Sequence, residues 1–296
     1  MRSAYADIEG SPEAVRQRLR EVIRRVEQGG SEVRLADSGV PTGWDAVDSA
    51  LANQGAGAGM GGLARGAVHE WLGIGEHDTG APCERGRGPG QGWILPMSLL
   101  MHLAARAIRT AGEGEGGGRA AVWIGSRCWP SPSSFAGVYA ELLGRSIFLE
   151  PRDRVSRLWA IELCLRSGAI DVVVADGARL GMAESRRIQL AAEAGLARGG
   201  GGFGLLARPA WEGGAISAAA TRWIVRREIT PGSASSRSPP RPRWSIELSR
   251  CRGSASQSGA RWVLEGGDET GIVCVPADVV DRPGSAADGR GLARSA

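Results

Sequence analysis

The sequence predicts an α/β protein with a mostly parallel β-sheet flanked by helices, extended at one edge by antiparallel strands nearer the carboxyl end. Three observations carry this. Between residues 120 and 207, apolar strand-like runs alternate with helix-length segments, the pattern of βαβ crossovers in a parallel sheet. Runs such as Ala169-Ile170-Asp171-Val172-Val173-Val174-Ala175-Asp176 are apolar at consecutive positions, as a strand covered on both faces must be. Beyond residue 221, extended segments follow one another with only turn residues between them, which suits antiparallel neighbours.

The elements follow in order. Ser11-Pro12-Glu13 supplies a hydroxyl cap, a first-turn proline and an acid, and Val15, Leu19, Val22, Ile23 and Val26 then form one apolar stripe that ends at Gly29-Gly30. This predicts an amphipathic helix with arginines on its opposite face. Residues 67–72 read as a strand and 73–92 as a loop with seven glycines. Residues 93–109 read as a largely buried helix despite Pro96 near its start. A strand at 120–124, a helix at 133–143, a strand at 147–149 and a helix at 153–166 come next. The strand ending in Asp176, a helix at 184–198 and a strand at 203–207 complete the alternation. Extended segments are predicted at 222–228, 244–248, 261–264 and 272–275.

Composition narrows the chemistry. All 36 basic residues are arginine, which removes any lysine nucleophile, Schiff base or phosphate-binding lysine. The 46 glycines in 296 residues point to long connections, and a GC-rich coding bias gives the same signature. A net charge of +4 permits contact with DNA or an acidic partner without requiring it. The five cysteines are widely spaced and odd in number, which fits free thiols in a reducing cytoplasm. The amino-terminal residues lack the apolar core of a secretory signal, and no apolar run is long enough to span a bilayer, so a cytoplasmic location is expected.

A strand, a glycine-rich loop and a buried helix in succession form the architecture that holds phosphates with backbone N–H groups. The loop between Leu72 and Trp93 stands in that place, but Arg85 and Arg87 are its only cations, and neither precedes a hydroxyl able to hold Mg²⁺. Asp176 ends a strand as a Walker-B aspartate does, although strands also end in Asp for turn reasons. Glu70 beside His69 has the chemistry of a general base, with a buried hydrogen-bonding role as the alternative. His69, His77 and His102 show no metal-ligand spacing, and no metal is expected. Arg-Trp occurs at 222–223, 243–244 and 261–262, each time opening an extended run. Alternation puts each Trp in the apolar layer and each Arg on the other face. Arg222, Arg243 and Arg261, joined by Arg226, Arg227, Arg250 and Arg252, are therefore candidates for contacting partner proteins or DNA.

These residues bear a family resemblance. Thr42-Gly43, Asp48, Gly61-Gly62-Leu63, Arg65-Gly66 and Glu70, followed by Val122-Trp123-Ile124 and Arg166-Ser167-Gly168-Ala169, resemble the core of bacterial RecA. The chain is more similar still to the ImuA family, RecA-like and SulA-related components of bacterial mutagenesis cassettes. That likeness rests on residues 93–96, Leu158-Trp159-Ala160-Ile161-Glu162, Arg186-Arg187-Ile188-Gln189-Leu190-Ala191-Ala192-Glu193, Leu205-Leu206-Ala207-Arg208-Pro209 and Arg250-Cys251-Arg252-Gly253. It covers residues 38 to 265. The resemblance implies a RecA-like, P-loop-NTPase-type fold and places Arg127 where RecA carries its catalytic glutamate. A charge reversal there leaves no group to activate water.

What the resemblance implies for function is a non-catalytic adaptor in damage-inducible (SOS) translesion synthesis. No cofactor is expected, ATP and Mg²⁺ included, with Asp176 the one relic of a nucleotide site. Its partners would be a Y-family polymerase-like cassette protein, an error-prone replicative-type polymerase and RecA. Three alternatives stay open: a divergent ATP-binding protein or ATPase using Arg85 or Arg87, a DNA-binding module, and a SulA-like regulator of cell division. The expected organisation is a helix and linker over 1–37, a RecA-like core with a degenerate P-loop over 38–230 and a flexible connection over 231–243. Strands extending the sheet over 244–276 and a disordered tail over 277–296 complete it.

Overall fold

The computed structural model describes residue 17 and residues 39–52, 61–73, 93–111, 120–135, 137–228, 241–252, 259–267 and 271–275. Apart from residue 17, the predicted amino-terminal helix lies outside them, as do the loop residues 74–92 with Arg85, Arg87, His77 and Cys83, residues 231–240 and the tail. In chain order the described elements are α1 (Asp45–Ala52), β1 (Ala67–Leu72), α2 (Met97–Thr110), β2 (Ala120–Ile124), α3 (Ala140–Gly144), β3 (Ser146–Leu149), α4 (Arg154–Arg166), β4 (Ile170–Asp176), α5 (Met182–Ala197), β5 (Phe203–Arg208), β6 (Thr221–Glu228), β7 (Arg243–Cys251), β8 (Ala260–Gly267) and β9 (Gly271–Val275).

All nine strands join one sheet in the order β3-β2-β4-β5-β1-β6-β7-β8-β9. Neighbours from β3 through β6 are parallel, and β6 through β9 pair antiparallel. This is the predicted α/β class, a RecA-like mostly parallel sheet with an antiparallel carboxyl-terminal extension. Every residue of β1, β2, β4 and β5 is buried, which is why β2, β4 and β5 read as largely apolar runs, while His69 and Glu70 of β1 must find partners inside the protein.

Two cores lie on the two faces. One gathers α1, α2, alternate residues of the parallel strands and the inner face of β6–β9, while the other packs α4 and α5 against the opposite side. Trp71 of β1 stacks on Trp223 of β6 at 5.2 Å and 8°, and Trp223 meets Trp262 of β8 at 6.0 Å. The tryptophans of the Arg-Trp pairs thus anchor the extension to the centre of the sheet. Trp44, before α1, stacks on His102 of α2 and donates its indole N–H to the carbonyl of Ile272 in β9 at 2.9 Å. Glycine is required where α4 and α5 meet: a Cβ on Gly195 would stand 1.9 Å from the carbonyl oxygen of Leu165.

Three local readings are corrected. The helix expected over 133–143 is two 3₁₀ turns, Pro132–Phe135 and Gly137–Tyr139, ahead of the single turn α3. Gly137 adopts φ +60°, outside helical space, and interrupts the run. The helix expected from residue 93 starts at Met97, because Pro96 is the last residue before it. The helix α1 was not anticipated. Its start is fixed by Asp48, whose carboxylate accepts from the N–H of Thr42 (2.9 Å), the hydroxyl of Thr42 (2.8 Å) and the N–H of Gly43 (3.2 Å).

Candidate functional site

The carboxyl ends of β1, β2, β4 and β5 form one edge of the molecule, where open parallel sheets place their ligands. Asp176 closes β4 there. Its Oδ2 accepts from Arg157 Nη1 of α4 at 2.9 Å, and its Oδ1 accepts from the N–H of Ala178 at 2.9 Å. Both carboxylate oxygens therefore have partners within the chain. Gly125, just past β2, lets the strands close around this pair: it adopts φ +92°, and a Cβ would lie 3.3 Å from the Asp176 Cβ. The buried Cys128 thiol beside them is pushed well above its ordinary pKa, by burial first and by the Asp176 charge second. It is a packing residue and no nucleophile.

The entrance to α2 follows β1 and the loop, where a phosphate would meet a helix N-terminus. Trp93 is buried, and the chain passes so tightly over the end of β1 that a Cβ on Gly73 would fall 2.4 Å from the Ile94 carbonyl oxygen. A cavity of about 470 Å³ opens here, lined by Trp93, Ile94, Leu95, Met97, Arg127 and Trp129, with Ser131 and Ser134 at its side. The Arg127 guanidinium lies 6.0 Å from the centre of the Trp93 ring. Arg127 is thus at this edge, spread over an indole.

Beside it lies a buried charge cluster that the sequence did not reveal. Glu70 of β1 is fully buried. Its Oε1 accepts from Arg208 Nη1 and from the Ser217 hydroxyl, both at 2.7 Å, and its Oε2 accepts from Arg222 Nε at 2.8 Å. Arg208 also pairs with Glu212 at 2.7 Å. Burial works against the Arg208 charge, but the Glu70 and Glu212 carboxylates outweigh it and its pKa is raised. Saturated in this way, Glu70 has the buried hydrogen-bonding role and not that of a general base. His69 on the opposite face of β1 bonds Thr221 Oγ1 (2.8 Å) and the Ala64 carbonyl (3.0 Å), and burial lowers its pKa to about 4. Among the described residues no group of His, Cys, Asp and Glu is arranged to hold a metal ion.

The candidate contact arginines separate into different environments. Arg222 is buried, which corrects its expected solvent-facing position: its face of β6 meets Glu70 and the 213–215 turn instead of water. Arg226 pairs with Glu247 (2.8 Å), Arg243 with Glu265 (2.6 Å) and Arg252 with Glu193 (3.6 Å). Arg250 donates to the Ser217 carbonyl. Arg227 and Arg261 are exposed. Arg157, Arg208 and Ser217 escaped the sequence reading, since nothing in their local context marks them and their partners lie 19, 138 and 147 residues away.

Sheet order and strand direction together define an α/β protein with a mostly parallel sheet and an antiparallel extension, its strand-end aspartate tied to an arginine of the neighbouring helix. No protein-family model matches the chain. Two relatives do: Protein ImuA from two strains of Caulobacter vibrioides, each 32% identical over 228 residues, spanning 69% of this chain and 77% of the relative. The chain belongs to the ImuA family. No helix among the described residues is long and apolar enough to cross a membrane.

Proposed function

We propose that this protein is a non-catalytic, RecA-like adaptor in damage-inducible translesion DNA synthesis. It docks a Y-family polymerase-like cassette protein and an error-prone replicative-type polymerase, with RecA as a further partner. Membership of the ImuA family supports the cassette setting. The observation that carries the non-catalytic half is the Arg157–Asp176 pair. A Walker-B aspartate must offer an oxygen to the Mg²⁺ shell. Here one carboxylate oxygen takes a guanidinium and the other a backbone N–H.

The surroundings point the same way. A nucleotide site in this fold supplies a lysine to the phosphates, and the chain has none. Arginine replaces the water-activating glutamate, and the helix entrance is lined by Trp93, Leu95 and Met97. These residues do not suit a nucleotide with Mg²⁺, and no reaction step is assigned to the edge.

Two measurements on the purified full chain test the proposal. Incubation with MgATP is expected to release phosphate no faster than buffer. Turnover abolished by Asp176→Ala would overturn the non-catalytic reading in favour of a divergent ATPase. Co-expression with the Y-family polymerase-like protein encoded in the same cassette is expected to give a complex that survives gel filtration. Separate elution of the two proteins would overturn the adaptor reading.

A further inference from the structure

Around the amino-terminal turns of α4 and α5 and the 209–217 connection, four large apolar side chains face solvent. Val155 in the first turn of α4 is 70% exposed, Met182 at the start of α5 48%, Trp211 48% and Ile216 72%. Hydrogen bonds bring their segments together. The Arg179 N–H donates to Glu212 Oε1 at 2.8 Å, Arg208 Nη2 to the Leu180 carbonyl at 3.1 Å, and Arg154 Nη2 to the Arg179 carbonyl at 2.9 Å. The hydroxyls of Ser185 and Ser217 meet at 2.8 Å. The amino-terminal turns of α4 and α5 and the 209–217 connection therefore share one surface.

That connection is held from beneath. Glu212 is gripped by Arg208, the carbonyls of Gly213 and Ala215 accept from Arg222 at 2.8 and 2.6 Å, and the Ser217 carbonyl accepts from Arg250. Arg208 and Arg222 are buried, and Glu70 together with Glu212 balances their two charges. The buried triad thus fixes a turn whose own side chains, Trp211 and Ile216, are turned outward. Arg179, between β4 and α5, sits at φ +65°, a conformation that costs about 1 kcal/mol or more outside glycine and clusters where a surface is shaped for a ligand. Apolar anchors already ordered before contact lose little entropy on binding.

We propose that this surface is the docking site for an amphipathic segment of a partner protein that carries acidic residues beside its apolar ones. The proposal rests on the adaptor reading and deepens it by naming the surface. Charge selects the partner. Exposed Arg186 lies one turn beyond Met182 on the same face of α5, and exposed Arg152 lies just before α4. Of the nearby acids, Asp176, Glu184 and Glu212 are already paired with Arg157, Arg154 and Arg208, and Asp153 caps α4 by accepting from the Ser156 N–H and hydroxyl. Composition favours protein over nucleic acid: three of the four apolar groups are aliphatic and offer bases nothing to stack on, whereas Trp with Arg at the rim suits a protein hot spot.

The test compares wild type with Ile216→Asp, Trp211→Ala and Arg186→Glu, with Arg198→Ala at the opposite end of α5 as a control. Affinity for the cassette's polymerase-like protein is read by calorimetry, and each fold is checked by its thermal melt. Ile216→Asp and Trp211→Ala are expected to weaken binding about tenfold or more. Arg186→Glu is expected to weaken it severalfold, with Arg198→Ala unchanged. If wild type binds and all three variants bind equally well, this surface is overturned while the adaptor reading stands. Failure of wild type to bind overturns both. Loss of single-stranded oligonucleotide affinity or of self-association in the variants, with partner binding intact, overturns a protein segment as the occupant.

Discussion

The parallel half of the sheet and its antiparallel extension treat the same residue type in opposite ways. On β6, Arg222 reaches toward β1 and is buried against Glu70, while Arg226, four residues further along the same face, stays partly exposed against Glu247. The tryptophan layer is shared: Trp71, Trp223 and Trp262 run from one half into the other on the opposite face. What differs is the cover. Helices α4 and α5 and the 209–217 turn close over the parallel strands, so charge there must be paired inside the protein. Over β7 and β8 the same face carries Arg243–Glu265 and Arg226–Glu247 pairs that water can reach. A strand pattern says which side a residue takes, and the cover decides what that costs.

The sharpest break of this contrast is Glu70→Gln. It removes the only carboxylate on Arg222 among the described contacts, while Arg208 keeps Glu212. A buried guanidinium left without its counter-charge costs about 3–5 kcal/mol. Denaturant unfolding should therefore show a midpoint far below that of wild type. A midpoint within the range of surface variants would mean that water already reaches Arg222 and that the two halves do not differ in cover.

A second prediction follows from the histidines. Burial lowers both His69 and His102 from 6.5 to about 4, the Ala64 and Thr42 carbonyls opposing in part. The unfolded chain therefore takes up protons first as pH falls. Their contribution to stability is complete above about pH 6.5 and shrinks through the window down to about pH 4, where it is lost. The shift corresponds to roughly 3 kcal/mol per histidine at most. Unfolding followed across that window should steepen with acid, and His69→Gln should remove a large part of the slope. An unchanged slope would mean that His69 titrates alike in both states.

Much of the parallel half was legible because burial on both faces leaves a clear trace: β2, β4 and β5 read as largely apolar runs and, with β1, fell where expected. Short elements were less so. The capping of α1 spans six residues from Thr42 to Asp48 and resembles no standard helix start, and Gly137 looked harmless in the middle of a helical pattern. At the site, Asp176 announced itself as a carboxylate ending a strand, but its partner Arg157 sits on α4 in a stretch dense with arginines. Arg222 was placed on the right face and in the wrong medium, because alternation carries no information about Glu70, 152 residues away.

The smallest effect gives the finest comparison. A double-mutant cycle on Arg226 and Glu247, by alanine substitution, should return a coupling of about 0.2–1 kcal/mol that shrinks further in high salt. Both side chains keep roughly a quarter to a third of their surface in water, so the charges lose little solvation on pairing and gain little from it. Removing Arg226 should therefore leave the melt within a few degrees of wild type, in contrast to the collapse expected for Glu70→Gln on the neighbouring strand. A coupling comparable to that of the buried triad would place a cover over the extension too, and the distinction between the two halves would then lie in sequence separation alone.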